Sequence, residues 1–160
     1  DNHLIYFLGS CYIMDVILWM VCIFNLSSQV AEQSNELSKE ITESIIYVVQ
    51  RIVPHVELSL DTFNHIVRKT SHFFCYFILG ILVLNALRRS GVLGYSCIVY
   101  AFSICIFYAA LDEIHQLFVP GRGGQVIDFL IDSFGSTAGI IVYLLVSRIF
   151  KRKVVINVKP

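Results

Sequence analysis

Four apolar runs constrain this chain most, because each is long enough to cross a lipid bilayer. A hydrocarbon core of about 30 Å requires about 20 helical residues. The runs cover about Leu4–Leu26, Thr62–Leu87 (continuously apolar from His72), Val92–Leu111 and Val126–Ile149. Only helices and closed barrels satisfy every backbone group in lipid, and no run alternates as a barrel strand would. The sequence therefore predicts an all-α membrane protein, a single domain over residues 1–160 folded as a four-helix transmembrane bundle.

Composition supports this class and excludes several others. Hydrophobic residues make up 56% of the chain and charged residues only 15%, whereas soluble domains usually have about 45–50% and about 25%. Disordered, collagen-like and coiled-coil chains are excluded. The net charge is zero, which gives no indication of nucleic-acid binding. The five cysteines all lie in apolar runs, so a disulfide framework is not expected.

Lysine and arginine predict the orientation of the spans. Seven basic residues and one acid lie in the turn after the second run and in the two terminal segments. The other side has ten acids and five bases. The positive-inside rule then predicts a multi-pass protein of the cell membrane with both termini in the cytoplasm.

The loop after the first run contains a second kind of helix. Apolar residues recur at helical spacing between Leu37 and Val53, ahead of Pro54, with charged residues on the remaining face. This pattern predicts an extracytoplasmic amphipathic helix that lies on the bilayer surface or caps the bundle.

Polar residues in the last three spans form stripes at helical spacing. An ionisable group at membrane depth costs roughly 2.5–3.5 kcal/mol on insertion scales, so each one requires an explanation. The stripes are Arg68, His72, Tyr76 and Gly80; Tyr108, Asp112, His115 and Gln116, flanked by Glu113; and Asp128, Asp132, Gly135 and Gly139. With the predicted orientation, all three stripes converge near the outer surface beside a Pro-Gly-rich turn that contains Arg122. We predict one shared polar pocket there.

A purely structural interpretation of the same residues remains open. The cationic groups could neutralise the acidic ones as an ion network near the helix ends. The cations are Arg68, Lys69 and Arg122, and the acids are Asp112, Glu113, Asp128 and Asp132.

The ordered set of motifs resembles the VanZ-like membrane proteins, a family named after a teicoplanin-resistance protein. The resemblance rests on Trp19 with Ser27-Ser28-Gln29, on Arg68-Lys69 with His72, Tyr76 and Gly80, on Asp112-Glu113-Ile114-His115-Gln116, on Phe118-Val119-Pro120-Gly121-Arg122, and on Asp128, Gly135 and Gly139. It implies a multi-pass membrane protein that contributes to resistance to this acylated glycopeptide, but it does not imply a particular reaction. Where the family pattern has Asn four residues after the span-four Asp, this chain has Asp132.

The predicted pocket is compatible with two alternative functions. As a binding site, it would hold an amphiphilic envelope molecule, such as a lipid-linked cell-wall precursor or a lipoglycopeptide, among membrane lipids. The predicted ligand-binding residues are Arg68, Lys69, Tyr76, Gln116, Arg122, Asp128 and Asp132. As an outer-leaflet hydrolase or transferase, it would use histidine and carboxylate acid–base chemistry. The candidate catalytic residues are His115, Asp112, Glu113 and His72.

We predict no resident cofactor and no metal, although His72, His115 and the acids include suitable metal-ligand types. Asp-Glu-x-His lacks the paired histidines of a zincin helix. A small transporter or an accessory subunit is a third alternative, since Asp15 lies near the middle of the first run and oligomerisation would supply further helices.

Overall fold

The computed structural model consists of four long helices. It describes residues 2–28, 40–41, 43–48, 51, 60–120 and 123–157, with side chains at 11–28, 40–41, 43–48, 51, 66–120 and 123–149. The helices are α1 (Asn2–Ser27), α2 (Leu60–Arg89), α3 (Gly94–Gln116) and α4 (Val126–Asn157). These described residues contain no strand. The predicted all-helical fold is confirmed.

Three of the helices are long and apolar enough to span a membrane. The candidate spans within the described residues are Ile66–Arg89, Gly94–Gln116 and Val126–Ile149, and Cys11–Ser27 is a shorter apolar helix. α3 extends beyond the predicted Leu111 to Gln116, since Asp112 and Gln116 are buried against the bundle. α4 continues past Ile149 to Asn157, through Lys151, Arg152 and Lys153, which have good helix propensity.

Contacts between helices define their directions. The contacts between α2 and α4 advance in the same direction along both helices. Lys69 contacts Asp128 toward one end of the bundle, and Arg88 contacts Ser147 toward the other end. These two helices are therefore parallel. The short turn after Arg89 makes α3 antiparallel to α2.

The interface between α2 and α4 is built on glycine. A Cβ atom at Gly135 or Gly139 would overlap the backbone carbonyl oxygen of Phe73 or Phe77, respectively. A Cβ atom at Gly80 would likewise overlap the carbonyl oxygen of Ser136. Small residues permit this close approach of helices in membranes. The contact sets the register that brings Lys69 and His72 of α2 alongside the first two turns of α4.

α1 packs on the outside of this unit through hydrogen bonds as well as apolar contacts. The Trp19 indole donates to the Cys75 carbonyl oxygen at 2.9 Å, and the Tyr108 hydroxyl donates to the Met20 carbonyl oxygen at 2.6 Å. Asp15 is exposed on α1 and lies in a different part of the bundle from the polar stripes.

Only part of the predicted amphipathic helix between Leu37 and Val53 falls among the described residues. Residues 40–41, 43–48 and 51 are helical. Ile41, Ile45 and Val48 expose apolar side chains, whereas Ile46 is buried.

Candidate functional site

Three helices each contribute one potential metal-ligating or acid–base group to a cluster at one end of the bundle. His72 on α2, Asp112 on α3 and Asp132 on α4 offer ligand atoms that lie within 4.8 Å of one another. His72 Nδ1 is 3.6 Å from Asp132 Oδ1. At 1.5 Å of rise per residue, the cluster lies about 6–9 Å from the nearer ends of the three spans. We call these three residues the His-Asp-Asp cluster.

The carboxylates of this cluster are almost fully removed from solvent. Asp112 is 2% exposed and Asp132 is 1% exposed. Asp112 Oδ1 and both carboxylate oxygens of Asp132 accept no hydrogen bond from the described residues. Buried carboxylates in proteins are normally paired or hydrogen-bonded, because burial without a partner is costly. The described residues therefore satisfy these oxygens only in part: His72 Nδ1 is 3.6 Å from Asp132 Oδ1, and the Tyr76 side chain faces Asp112.

Two neutral polar groups flank Asp112. Gln116 Nε2 approaches Asp112 Oδ2 at 3.4 Å from the next turn of α3. The Tyr76 side chain is fully buried on α2 and faces the Asp112 carboxylate. Its hydroxyl has no hydrogen-bond partner besides Asp112 within the part of the chain that the structure describes. Both residues therefore border the cluster, as their stripes predicted.

A polar pocket opens beside the cluster. It has a volume of about 90 Å³, enough for several waters or one small polar group. Its lining consists of Arg68, Lys69, His72, Gln116, Gly123, Gln125, Asp128 and Ile131. We call it the headgroup pocket. His72 belongs to both the pocket and the cluster, so the two are adjacent.

Only one of the two cations in this pocket is paired. Lys69 Nζ lies 2.7 Å from Asp128 Oδ1, which neutralises that carboxylate. Arg68 forms no ion pair with any residue that the structure describes. The structural ion network that the sequence left open thus accounts for Lys69 and Asp128, and Arg68 has no acid partner among the described residues.

An apolar groove continues from the pocket along the bundle surface. Its lining is Lys69, Thr70, Phe73, Phe74 and Ile131. Lys69 and Ile131 line both concavities, so a polar and an apolar compartment share a wall. We call this second compartment the acyl groove.

His115 lies apart from the His-Asp-Asp cluster. Its ring stacks on Phe24 of α1 at a centroid distance of 4.4 Å, and its Nε2 is 3.1 Å from Ser28 Oγ. The helical rotation of 100° per residue explains this placement. His115 is rotated by about 60° to one side of Asp112, toward α1, and Gln116 by about 40° to the other side.

Glu113 also contacts a segment outside the cluster. Its carboxylate accepts a hydrogen bond from the backbone N–H of Gln125. It therefore holds the connection between α3 and α4 against the end of α3. Gly121 and Arg122 lie outside the described residues, so the predicted role of Arg122 remains a prediction.

Gln125 and Ile131 line the pocket but were not among the predicted residues. Their positions contained a usable signal. Gln125 follows the glycine-rich turn directly, and Ile131 lies one helical turn after Asp128.

Comparison with known families agrees with the resemblance seen in the sequence. Residues 12–147 match the VanZ/LLP1 family, and this range includes the whole His-Asp-Asp cluster. The chain belongs to the VanZ/LLP1 family. No curated protein and no solved structure matches it. VanZ/LLP1 membership fits the three helices that are long and apolar enough to span a membrane.

Proposed function

We propose that this VanZ/LLP1 protein binds an amphiphilic molecule of the cell envelope, with its anionic headgroup in the headgroup pocket and its chain in the acyl groove. The observation that carries the proposal is the shared wall of Lys69 and Ile131 between a polar and an apolar compartment. Arginine forms strong, often bidentate hydrogen bonds with phosphates and carboxylates. Arg68, which has no ion-pair partner among the described residues, is therefore the proposed anchor of the headgroup.

This binding would contribute to resistance to glycopeptides such as teicoplanin, the role that the family name suggests. Two ligand sources fit the same chemistry. The protein would hold a lipid-linked cell-wall precursor, or it would hold the acylated antibiotic itself. Both combine anionic groups with a long apolar chain.

The first test measures ligand binding by the purified full chain in nanodiscs of zwitterionic lipid. A polyprenyl phosphate and teicoplanin serve as separate probes for the two sources. Arg68→Gln should weaken binding of the true ligand by about 10–100-fold, because a charge-assisted hydrogen bond contributes about 1.5–3 kcal/mol. Arg68→Lys should weaken it less, since the charge is retained.

Two controls accompany this measurement. Arg148→Gln removes an exposed arginine from the far part of α4 and should leave the affinity unchanged. Phe74→Ala in the acyl groove should weaken a long-chain probe but not a short-chain analogue. An equal loss for Arg68→Gln and Arg148→Gln would refute the assigned site.

The orientation proposed for this site is outward, with both termini in the cytoplasm. The basic residues around Arg88 and Arg89 support it through the positive-inside rule. A cysteine at exposed Gln125 should react with a membrane-impermeant maleimide on intact cells, and one at exposed Ser90 only after permeabilisation. The reverse pattern would place the pocket in the cytoplasm.

A hydrolase or transferase acting on the same amphiphile is the second candidate. The approach of His72 to Asp132 favours it, because a carboxylate can orient an imidazole as general base. His72 opens onto the headgroup pocket, whereas His115 packs against α1. The base in this alternative is therefore His72.

A further inference from the structure

The charge balance of the His-Asp-Asp cluster differs from that of its surroundings. Among the described residues, the ion pairs within 4.0 Å are Lys69 with Asp128 and His72 with Asp132. No lysine or arginine in the described ranges pairs with Asp112 or Asp132. Within the described ranges, two carboxylates thus share a nearly dry space with one imidazole and no lysine or arginine. Such an arrangement is stable when a bound cation or a proton supplies the missing charge.

The donor set indicates which cation would fit. The cluster combines one imidazole nitrogen with oxygens from two carboxylates. Calcium and magnesium prefer oxygen ligands alone, whereas zinc and manganese accept imidazole together with carboxylate. Three protein ligands also leave coordination positions open, as in catalytic rather than structural zinc sites.

The spacing of the ligand atoms is close to what such an ion requires. Ligands about 2.0–2.2 Å from a tetrahedral ion lie about 3.3–3.6 Å apart. The atoms of His72, Asp112 and Asp132 already fall within 4.8 Å of one another. Small side-chain rotations therefore complete the site without moving a helix. The glycine contacts between α2 and α4 keep two of the three ligands in register.

We propose that His72, Asp112 and Asp132 bind one divalent ion of the zinc–manganese class. The second observation is that the buried Asp132 Oδ2 has no partner among the described residues, and that Asp112 Oδ1 has none besides the facing Tyr76 hydroxyl. This inference goes beyond the proposed amphiphile binding and does not require it. Through His72, however, the ion would lie beside the headgroup pocket, where its open positions suit an anionic ligand.

The experiment uses the full chain in detergent, stripped with a chelator and then titrated with Zn²⁺ or Mn²⁺. Elemental analysis after desalting should give one ion per chain. At one hundred times the Kd, the Tm should rise by about 5–10 °C, and Mg²⁺ at the same concentration should not raise it. A wild-type protein that retains no ion and shows no Tm shift would overturn the proposal and indicate protonated carboxylates instead.

Matched variants locate the site. Asp112→Asn and Asp132→Asn should each weaken Zn²⁺ binding by about 100-fold or more, because loss of even an outer-sphere partner costs about 10–100-fold. Glu43→Gln removes an exposed carboxylate outside the cluster and the pocket and should bind the ion as wild type does. An equal loss in Glu43→Gln would refute the assigned ligands. If either Asn variant fails to fold, His72→Gln and the wild-type titration decide the question.

The outcomes for the metal and for the amphiphile can be separated. A protein that binds no metal but still binds an amphiphilic probe through Arg68 would refute the metal site and leave the proposed function intact. Stoichiometric metal binding in a protein that binds neither amphiphilic probe would leave the cluster assigned and refute the proposed function.

Discussion

Replacing Gly139 by alanine is expected to destabilise the protein by about 3 kcal/mol or more, at the upper end of the cost of overpacking. Helix propensity alone predicts the opposite, because alanine is favoured over glycine within a helix by about 1 kcal/mol. The added methyl group would overlap the Phe77 carbonyl oxygen. That oxygen belongs to the backbone of α2, so the two helices must separate.

The separation should also disrupt the site. Moving α4 away from α2 takes Asp132 away from His72, so binding at the cluster should be lost together with stability. The measurement is unfolding of the purified protein in mixed detergent micelles. Gly123→Ala is the matched control, since no atom lies within 4 Å of its added Cβ. Its stability should change by no more than about 0.5 kcal/mol. An unchanged stability for Gly139→Ala would refute the close α2–α4 contact.

The second large effect concerns the buried carboxylates. We expect the double variant Asp112→Asn with Asp132→Asn to be more stable than wild type by about 1–3 kcal/mol when both are free of metal. The amides have nearly the same shape as the carboxylates but no charge to bury. A residue pair kept at the expense of stability is typical of a functional site.

Asp128→Asn provides the contrast for this experiment. Asp128 is paired with Lys69, so its replacement should lower stability, by up to about 1 kcal/mol for a partly exposed pair. Thermal unfolding in excess chelator gives both values. A double variant that is less stable than wild type would show that Asp112 and Asp132 are structural, as the ion-network interpretation holds.

Hydropathy and helical spacing were sufficient to predict the four helices and the faces that meet. Apolar length indicated the spans directly. The predicted C-terminal end of α3 was less accurate, because a hydropathy pattern ends at the first charged residue. The helix continues beyond that residue, since Asp112 and Gln116 are buried against the bundle. The stripe of His72, Tyr76 and Gly80 predicted the inner face of α2.

Spacing could not predict which side chains become partners. His115 and Gln116 both fall within a helical turn of Asp112, yet one faces α1 and the other the headgroup pocket. That choice depends on where the neighbouring helices lie, which one sequence does not reveal. Likewise, the sequence offered several cations for each acid, and the fold pairs Lys69 with Asp128 while leaving Asp132 with His72.

Asp132 shows why the departure from the family pattern matters here. The resemblance suggests an asparagine at this position, and an amide would add no charge to the cluster. The fold places Asp132 beside His72 and Asp112 at 1% exposure. Relative to the pattern that the resemblance suggests, Asp132 therefore adds a carboxylate next to His72 and Asp112.

The central claim is that α2, α3 and α4 bring His72, Asp112 and Asp132 together, and thiol cross-linking tests it most directly. Cysteine pairs at 72 and 112, 72 and 132, and 112 and 132 are treated in membranes with a short bifunctional methanethiosulfonate. Mass spectrometry then identifies the linked peptides. The control pair is 72 and 147, which lie about 24 Å apart along the bundle, since Ser147 contacts Arg88 at 3.2 Å. We expect all three cluster pairs to link and the control pair not to link. Cluster pairs that link no better than the control would contradict the convergence on which the proposed site depends.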